Sequence, residues 1–137
     1  MAKYVAINHD VTINGVEFSQ SIAAVTFEVT ADEVETTAFQ QTWRSRIGGL
    51  KDASVSLDFH QDFGASSVDA TLYPLLGSVA TVVVNPTGST PTATNPSYTG
   101  TFLVTQYSPF ASSVGDLATL SVSWPAAGTA GVTRGTA

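Results

Sequence analysis

Two segments of alternating apolar and polar residues flank a stretch that has no core pattern, and this arrangement constrains the fold most. Segments 22–31 and 51–62 both place apolar side chains at every second position. Such alternation is typical of strands with one buried and one solvated face. The stretch between them, 36–51, is long for an uncovered segment of a compact domain. We therefore interpret 36–51 as a protruding loop that docks on another subunit.

The protruding loop is basic and carries a tryptophan. Arg44, Arg46 and Lys51 are three of the five Lys and Arg residues of a chain whose formal net charge is −6. Single surface cations contribute little, but their concentration here favours pairing with an acidic face of another copy. Trp43 has two interpretations: it anchors a contact between subunits, as large aromatic residues often do, or it folds back onto its own core.

Turn and helix signals place the other elements. Asn-Gly at 14–15, between apolar pairs, predicts a tight hairpin. Segment 66–77 predicts a short helix, with Ser66 or Ser67 as N-cap and Gly77 after its end. Further extended segments are predicted at 33–39, 79–85, 98–107 and 118–124, and the last of these places Trp124 in the core.

The chain is predicted to form one domain, because 137 residues fit a single core. Residues 1–10 are interpreted as an exposed or strand-added N-terminal arm, and 125–137 as a C-terminal tail that has nothing to bury. A single sheet would leave its apolar faces open. We therefore predict a mainly β fold, a two-layer antiparallel sandwich or flattened barrel with one short helix.

Residues that could carry chemistry are few. The chain has no cysteine, so disulfides and Cys-based zinc sites are excluded. It has no Gly-x-Ser-x-Gly elbow and no phosphate-binding glycine motif. Asp58, His60 and Asp62 fall on one face of a predicted strand, but oxygen-rich metal sites need more ligands from loops. We interpret this row as an acidic, solvated face and predict no enzyme, no metal and no cofactor.

Hydropathy and charge exclude two further classes. The N-terminus has no apolar segment of the signal-peptide kind, and no apolar run has the length of a membrane span. We therefore expect no export signal and no membrane insertion. The acidic balance argues against tight binding of duplex DNA, which requires clustered basic residues.

The order of these features resembles the major tail tube protein of the long, non-contractile tails of siphovirus-type bacteriophages. The resemblance covers residues 5–125 and is one of whole pattern, because none of its parts is a catalytic signature. The parts that carry it are Glu35-Thr36-Thr37, the loop around Trp43, Gly48-Gly49-Leu50-Lys51-Asp52, the strand around 55–59 and the helix around 68–76.

The resemblance implies a structural virion protein that is made in the host bacterial cytoplasm. Members of this family are β-sandwiches with one helix, and they form hexameric rings that stack into a hollow tube. A long loop of each subunit reaches the adjacent ring. The implied partners are other copies of the chain, the tape-measure protein, the baseplate initiator and the tail terminator. Phage DNA passes through the tube without specific binding.

On this basis, residues in the loop and on the acidic face receive expected roles. Trp43, Arg44, Arg46 and Lys51 are expected to form contacts between rings or subunits. An acidic lumen wall would repel phosphates. The candidate residues of this acidic, solvated face are Glu28, Asp58 and Asp62.

Two alternatives stay open. One is another ring-forming virion protein of similar fold, such as a tail terminator or a head–tail joining protein, which forms one ring and stops. The other is a secreted ligand-binding β-sandwich module, which would present a stripe of exposed aromatic residues on one sheet.

Overall fold

A computed structural model describes residues 9–65, 67–87, 90–128 and 131–136 of the chain. Within these residues, eight strands and one α-helix alternate with turns. In chain order they are β1 (Asp10–Ile13), β2 (Val16–Glu17), β3 (Ile22–Glu35), β4 (Arg46–His60), α1 (Val68–Leu75), β5 (Val79–Asn85), β6 (Ser97–Leu103), β7 (Thr119–Pro125) and β8 (Val132–Gly135).

The strands form two antiparallel sheets. One has the order β2-β1-β5-β6-β8, and the other has the order β3-β4-β7. Alternate side chains of both sheets join one buried cluster, so the sheets are the two layers of a sandwich. The predicted mainly β sandwich with one short helix is therefore confirmed.

The buried cluster is formed jointly by the two layers. Its largest fully buried side chains come from both sheets and from the inner side of α1; they are Trp124, Phe59, Phe102, Ile13, Leu57, Leu72, Val11, Val55, Val68, Val82 and Val104. Edge-to-face ring contacts lie within this core, such as Phe27 against Phe102 with centroids 5.5 Å apart. The predicted core position of Trp124 is confirmed, and its indole Nε1 donates to the backbone oxygen of Gln106 at 3.1 Å.

Local turn and helix signals were read correctly from the sequence. Asn14 and Gly15 have φ values of 50° and 82°, as the turn between β1 and β2 requires. The predicted helix exists over a shorter range than 66–77. Ser67 occupies the N-cap position without a side-chain capping bond, and the alternative cap, Ser66, lies outside the described residues.

Both predicted termini need correction. Asp10 opens β1, where it pairs with Asn85 of β5, so the predicted N-terminal arm 1–10 ends earlier; residues 1–8 lie outside the described residues. The predicted C-terminal tail 125–137 is wrong, because β8 pairs with β6 and Val132 packs against the core. A four-residue strand, Val-Thr-Arg-Gly, is too short to show alternation, and it is defined by its partner strand β6, which local sequence does not reveal.

Strand boundaries around the protruding loop also differ from the prediction. Strand β3 is continuous from Ile22 to Glu35, whereas two pieces, 22–31 and 33–39, were predicted. Strand β4 begins at Arg46 and ends at His60, whereas the sequence predicted 51–62. Residues 46–51 of the protruding loop are therefore strand, and the part outside both strands is 36–45.

Gly100 tests the packing between β6 and β8. A Cβ atom there would lie 2.8 Å from Phe102 Cε2 and 3.3 Å from Val132 Cγ2, and the fully buried Phe102 ring has no room to move. We expect Gly100→Ala to lower the unfolding free energy by about 1–3 kcal/mol, measured by urea denaturation. Gly48→Ala is the matched control, since its Cβ would meet nothing within 4 Å. Equal stability of the two variants would contradict this packing.

Candidate assembly surface

The β3–β4 hairpin extends beyond the sandwich that holds its base. Its strands pair from Ile22↔Phe59 at the base to Glu35↔Arg46 at the far end. Near the base, alternate β4 residues are buried, ending with Ala53 at 7% exposure. Beyond that point nearly every residue is exposed, on both faces. We call residues 30–52 the ribbon, because they form a two-stranded extension with no second layer.

A bulge in β4 sets which side chains the ribbon presents. The register shifts between Ala31↔Lys51 and Glu33↔Gly48, which gives β4 one extra residue. Gly49 lies in this bulge, where a Cβ atom would be 3.1 Å from Val34 Cγ2. The shift pairs Val34 with Ile47, and these two side chains are 46% and 59% exposed. An apolar cross-strand pair therefore faces solvent halfway along the ribbon.

The basic residues of the ribbon have acidic partners on the ribbon itself. Arg46 Nε lies 2.6 Å from Glu33 Oε1, and Arg44 Nη1 lies 3.7 Å from Glu35 Oε1. Both pairs are well exposed, so each contributes little to stability. The positive charge expected of this segment is thus offset by carboxylates of β3. A contact of these arginines with another copy stays a prediction.

The tip of the ribbon, residues 36–45, is held by its own hydrogen bonds. Thr36 N donates to the backbone oxygen of Ser45 at 2.8 Å, and Ser45 N donates to Thr37 Oγ1 at 2.9 Å. Ala38 N donates to Gln41 Oε1 at 2.7 Å. These bonds order a turn that has no apolar core of its own.

The tip presents two aromatic side chains to solvent. Trp43 is 86% exposed, and Phe39 is fully exposed. Of the two interpretations of Trp43, folding back onto its own core is wrong. An anchor at a subunit contact stays a prediction, and Phe39 is a second candidate that the sequence analysis did not single out.

Lys51 lies at the base of the ribbon and not at its tip. It pairs with Ala31 and lines a cleft between the two sheets, together with Tyr98 and Arg134. The four residues predicted to form contacts are thus distributed along the ribbon: Trp43 and Arg44 in the tip, Arg46 next to it and Lys51 at the base.

The solvated side of β3-β4-β7 is a surface of mostly small hydroxyl side chains with three carboxylates. Ser121 Oγ donates to Asp58 Oδ1 at 2.6 Å, and Ser56 and Ser123 hydroxyls lie 3.2 Å apart. We call this surface the polar face. By strand alternation and register its residues are Ala24, Thr26, Glu28, Thr30, Asp52, Ser54, Ser56, Asp58, His60, Thr119, Ser121, Ser123 and Pro125.

Of the three candidate acidic residues, Glu28 and Asp58 belong to the polar face, whereas Asp62 does not. Strand β4 ends at His60. Asp62 Oδ1 accepts a bond from Gly64 N at 2.8 Å, in the turn that leads to α1. Of the predicted row Asp58, His60 and Asp62, only Asp58 and His60 therefore lie on one strand face.

Within the described residues, no group of three His, Cys, Asp or Glu is placed to hold a metal ion. In that same part of the chain, no helix has the length and apolar character that crossing a bilayer requires.

A second exposed aromatic surface lies at the other end of β4. Phe63 and Phe110 stack with centroids 5.6 Å apart and planes tilted by 31°, and they are 57% and 81% exposed. We call this pair the aromatic platform. The sequence analysis missed it because its residues lie 47 positions apart in two turn segments. Large apolar residues in segments without alternation were the available signal.

Hydrogen bonds fix the segment that carries Phe110. Gln61 Nε2 donates to the backbone oxygen of Pro109 at 2.8 Å and to Tyr107 Oη at 3.2 Å. Tyr107 Oη donates to Asp69 Oδ1 of α1 at 2.6 Å. Burial and this bond to a carboxylate raise the pKa of Tyr107 to about 12. The 104–118 segment is thereby tied to both β4 and α1.

With this geometry described, the chain can be compared with known proteins. No family model and no curated protein matches the sequence. Among solved structures, a chain in the virion of a native gene transfer agent particle matches with a TM-score of 0.66 at 19% identity, covering 83% of this chain and 84% of the other. A chain in the tail of an empty gene transfer agent particle, refined helically with C6 symmetry, matches with a TM-score of 0.64 at 20% identity, covering 82% and 81%. At this identity the likeness establishes the fold.

Tyr107→Phe tests how the 104–118 segment is held. The variant loses the hydroxyl that bonds Asp69 and Gln61, and we expect it to lower the unfolding free energy by about 1–2 kcal/mol at pH 7. Because the folded state raises this pKa from 10.0 to about 12, the contribution is complete below pH 10 and is lost as pH rises toward 12.

The measurement is urea denaturation of both proteins from pH 8 to 12. The stability difference between wild type and Tyr107→Phe should shrink across the alkaline range, whereas Tyr73→Phe on exposed Tyr73 should match wild type throughout. A constant difference at every pH would contradict the assigned bond.

Proposed function

We propose that the chain is the tube subunit of a phage-type tail of the long, non-contractile kind, and that it forms hexameric rings that stack around a channel for DNA delivery. The observation that carries this proposal is the ribbon: a long two-stranded extension without a second layer, whose ordered tip exposes Trp43 and Phe39. The fold shared with a chain in a C6-symmetric tail particle supports the proposal.

The ribbon needs a surface to cover it. Two-stranded β structure alone is marginally stable in water, and here it also exposes large apolar side chains. Within the ribbon these are Val34, Phe39, Trp43, Ile47 and Leu50. Large apolar side chains exposed together on one short element mark it as a candidate interaction surface. A neighbouring copy in a stacked ring supplies that cover.

Unpaired sheet edges give a second reason for assembly. In the sheet β3-β4-β7, β3 and β7 are the edges. Exposed edges promote uncontrolled pairing, and ring closure removes them. Both β3 and β7 run antiparallel to β4, so they share one direction. Rotation about a ring axis preserves that direction, and β3 of one copy would therefore meet β7 of the next in parallel.

Closure of this sheet places the polar face on the lumen. Three strands from each of six copies would give an eighteen-stranded barrel, and barrels of about this strand number leave an aqueous channel. Glu28 and Asp58 would give the wall negative charge, which repels DNA phosphates and lets the duplex pass without binding. The polar face contains no Lys or Arg.

The remaining expected partners follow from the same role. A tube subunit in a virion assembles with further copies of itself, on a tape-measure protein, from a baseplate initiator and up to a tail terminator. Synthesis in the host cytoplasm precedes assembly. The chain itself acts as a structural protein and not as an enzyme.

Negative-stain microscopy of the purified protein separates the candidate functions. Stacked tubes support the tail tube subunit, and single rings support a tail terminator or head–tail joining protein. A monomer that never assembles supports a ligand-binding module. That last candidate is disfavoured because no Phe, Tyr or Trp side chain lies on the polar face, whose three strands the structure describes completely.

Trp43→Ser tests the tip. Because Trp43 is 86% exposed and makes no core contact, we expect its unfolding free energy to stay within about 0.5 kcal/mol of wild type. Loss of an aromatic anchor should raise the protein concentration needed for tube formation at least about tenfold, measured by sedimentation and microscopy.

Tyr73→Ser, which removes an exposed aromatic residue from α1, is the matched control and should assemble as wild type does. Normal tubes from Trp43→Ser would remove the tip from the stacking contact. This substitution is preferred to charge reversal of Arg44 and Arg46, which would add repulsion against Glu33 and Glu35 inside the ribbon itself.

Lysine on the polar face tests the lumen assignment. Glu28 pairs with Ser54 across β3 and β4, so Glu28→Lys with Ser54→Lys creates a basic ring in each layer. We expect such tubes to retain linear duplex DNA in a salt-dependent manner, whereas wild-type tubes release it. DNA that co-sediments with tubes, protected from nuclease, is the measured quantity.

The control adds two exposed lysines to the other sheet, as Thr81→Lys with Thr133→Lys. DNA bound by this control should stay accessible to nuclease, because these positions would lie outside the channel. Equal nuclease protection in the two variants would exclude the polar face as the lumen wall.

A further inference from the structure

The two exposed aromatic surfaces lie at opposite ends of one strand. The tip precedes β4 at Arg46, and Phe63 follows β4 three residues after His60. A strand of this length spans about 45 Å. Phe110 belongs to the same end as Phe63, because Ala118 O accepts from Gln61 N and Thr119 pairs with His60. The chain therefore has an aromatic surface at each end of its long axis.

We propose that the aromatic platform, Phe63 with Phe110, is the surface on which the tip of another copy docks, with Trp43 and Phe39 stacking on it. This inference rests on the proposed tube function and names the receptor of the ribbon. Copies translated along β4 bring a tip against a platform, and such a head-to-tail contact repeats without closing.

The platform is built in advance of binding. The Gln61 and Tyr107 bonds hold the segment around Phe110 to β4 and α1, and the tip has its own ordering bonds. Two preordered surfaces lose little conformational freedom when they meet. Offset or edge-to-face packing between aromatic rings is the geometry that such pairs prefer.

Charge at the two ends is complementary. Arg44, in the tip, is 73% exposed, and its ion pair with Glu35 is long at 3.7 Å. Asp62 directly precedes Phe63, Asp116 lies six residues after Phe110 in the segment that carries it, and both carboxylates are exposed. A docked tip brings Arg44 toward these carboxylates, which favours another copy of this chain over an unrelated apolar partner.

The absence of cysteine from the chain allows a direct test by crosslinking. Thr42→Cys lies beside Trp43, and Ala111→Cys lies beside Phe110, so both aromatic surfaces stay intact. We expect mild oxidation of assembled tubes of the double variant to give a ladder of covalent multimers. Thr42→Cys with Thr133→Cys, on exposed Thr133 of β8, should give at least about tenfold less.

A second variant, which contains no cysteine, tests the platform even if the cysteine variants assemble poorly. Phe63→Ser with Phe110→Ser should fold normally, since both rings are largely exposed, and should raise the concentration needed for tube formation about tenfold or more. Tyr73→Ser is again the control.

The outcomes separate this inference from the function on which it rests. Tubes with the specific ladder, or with the selective defect of the platform variant, support the platform. Tubes that show neither the specific ladder nor the selective defect of the platform variant overturn the platform and leave the tube function standing. A wild-type protein that never forms rings or tubes overturns both.

Discussion

The pairing of β3 with β4 is the interaction on which the rest of the structure depends. At its base, β4 supplies Val55, Leu57 and Phe59 to the core and also pairs with β7. At its far end the same hydrogen-bonded ladder continues into solvent as the ribbon. The sandwich therefore fixes the register and direction of an extension that it does not cover. A single hairpin thus supplies both core strands and a protruding element.

The exposed apolar side chains are distributed differently on the sandwich body and on the ribbon. The body buries its apolar residues in one cluster formed by both sheets and α1. Large exposed apolar residues concentrate on the ribbon and in the segments 61–64 and 109–117, at the two ends of β4. The polar face between those ends bears hydroxyls and carboxylates. Apolar contacts at both ends and a wet acidic side between them fit a subunit that stacks along one axis and faces a channel.

The sequence predicted those elements whose signals are local. The Asn14-Gly15 turn, the α1 stripe through Val68 and Leu72, and the alternating strands around Leu57 and Val122 each determine their own structure. The predictions failed where pairing with a neighbouring strand determines whether a segment is itself a strand. Residues 46–51 have no alternation and become strand only because β3 continues opposite them. Residues 132–135 become strand because the edge of β6 is available.

The candidate surface was predictable to a similar extent. An uncovered basic stretch containing Trp43 identified the protruding loop, but the acidic partners Glu33 and Glu35 came from strand register, which composition does not reveal. The strand end at His60, set by pairing with Thr119, separates Asp62 from Asp58. The aromatic platform needs two turns to meet in space, so only the fold could bring Phe63 to Phe110.

We infer that sister copies cover the free edge of β3 and the ribbon. Hydrogen–deuterium exchange, compared between the monomer and the assembled protein, tests it most directly. The account predicts that the outward amides of β3 and the amides of residues 30–52 exchange quickly in the monomer and become strongly protected on assembly, while core amides of β5 change little. Assembled particles in which β3 and the ribbon exchange as fast as in the monomer would contradict it.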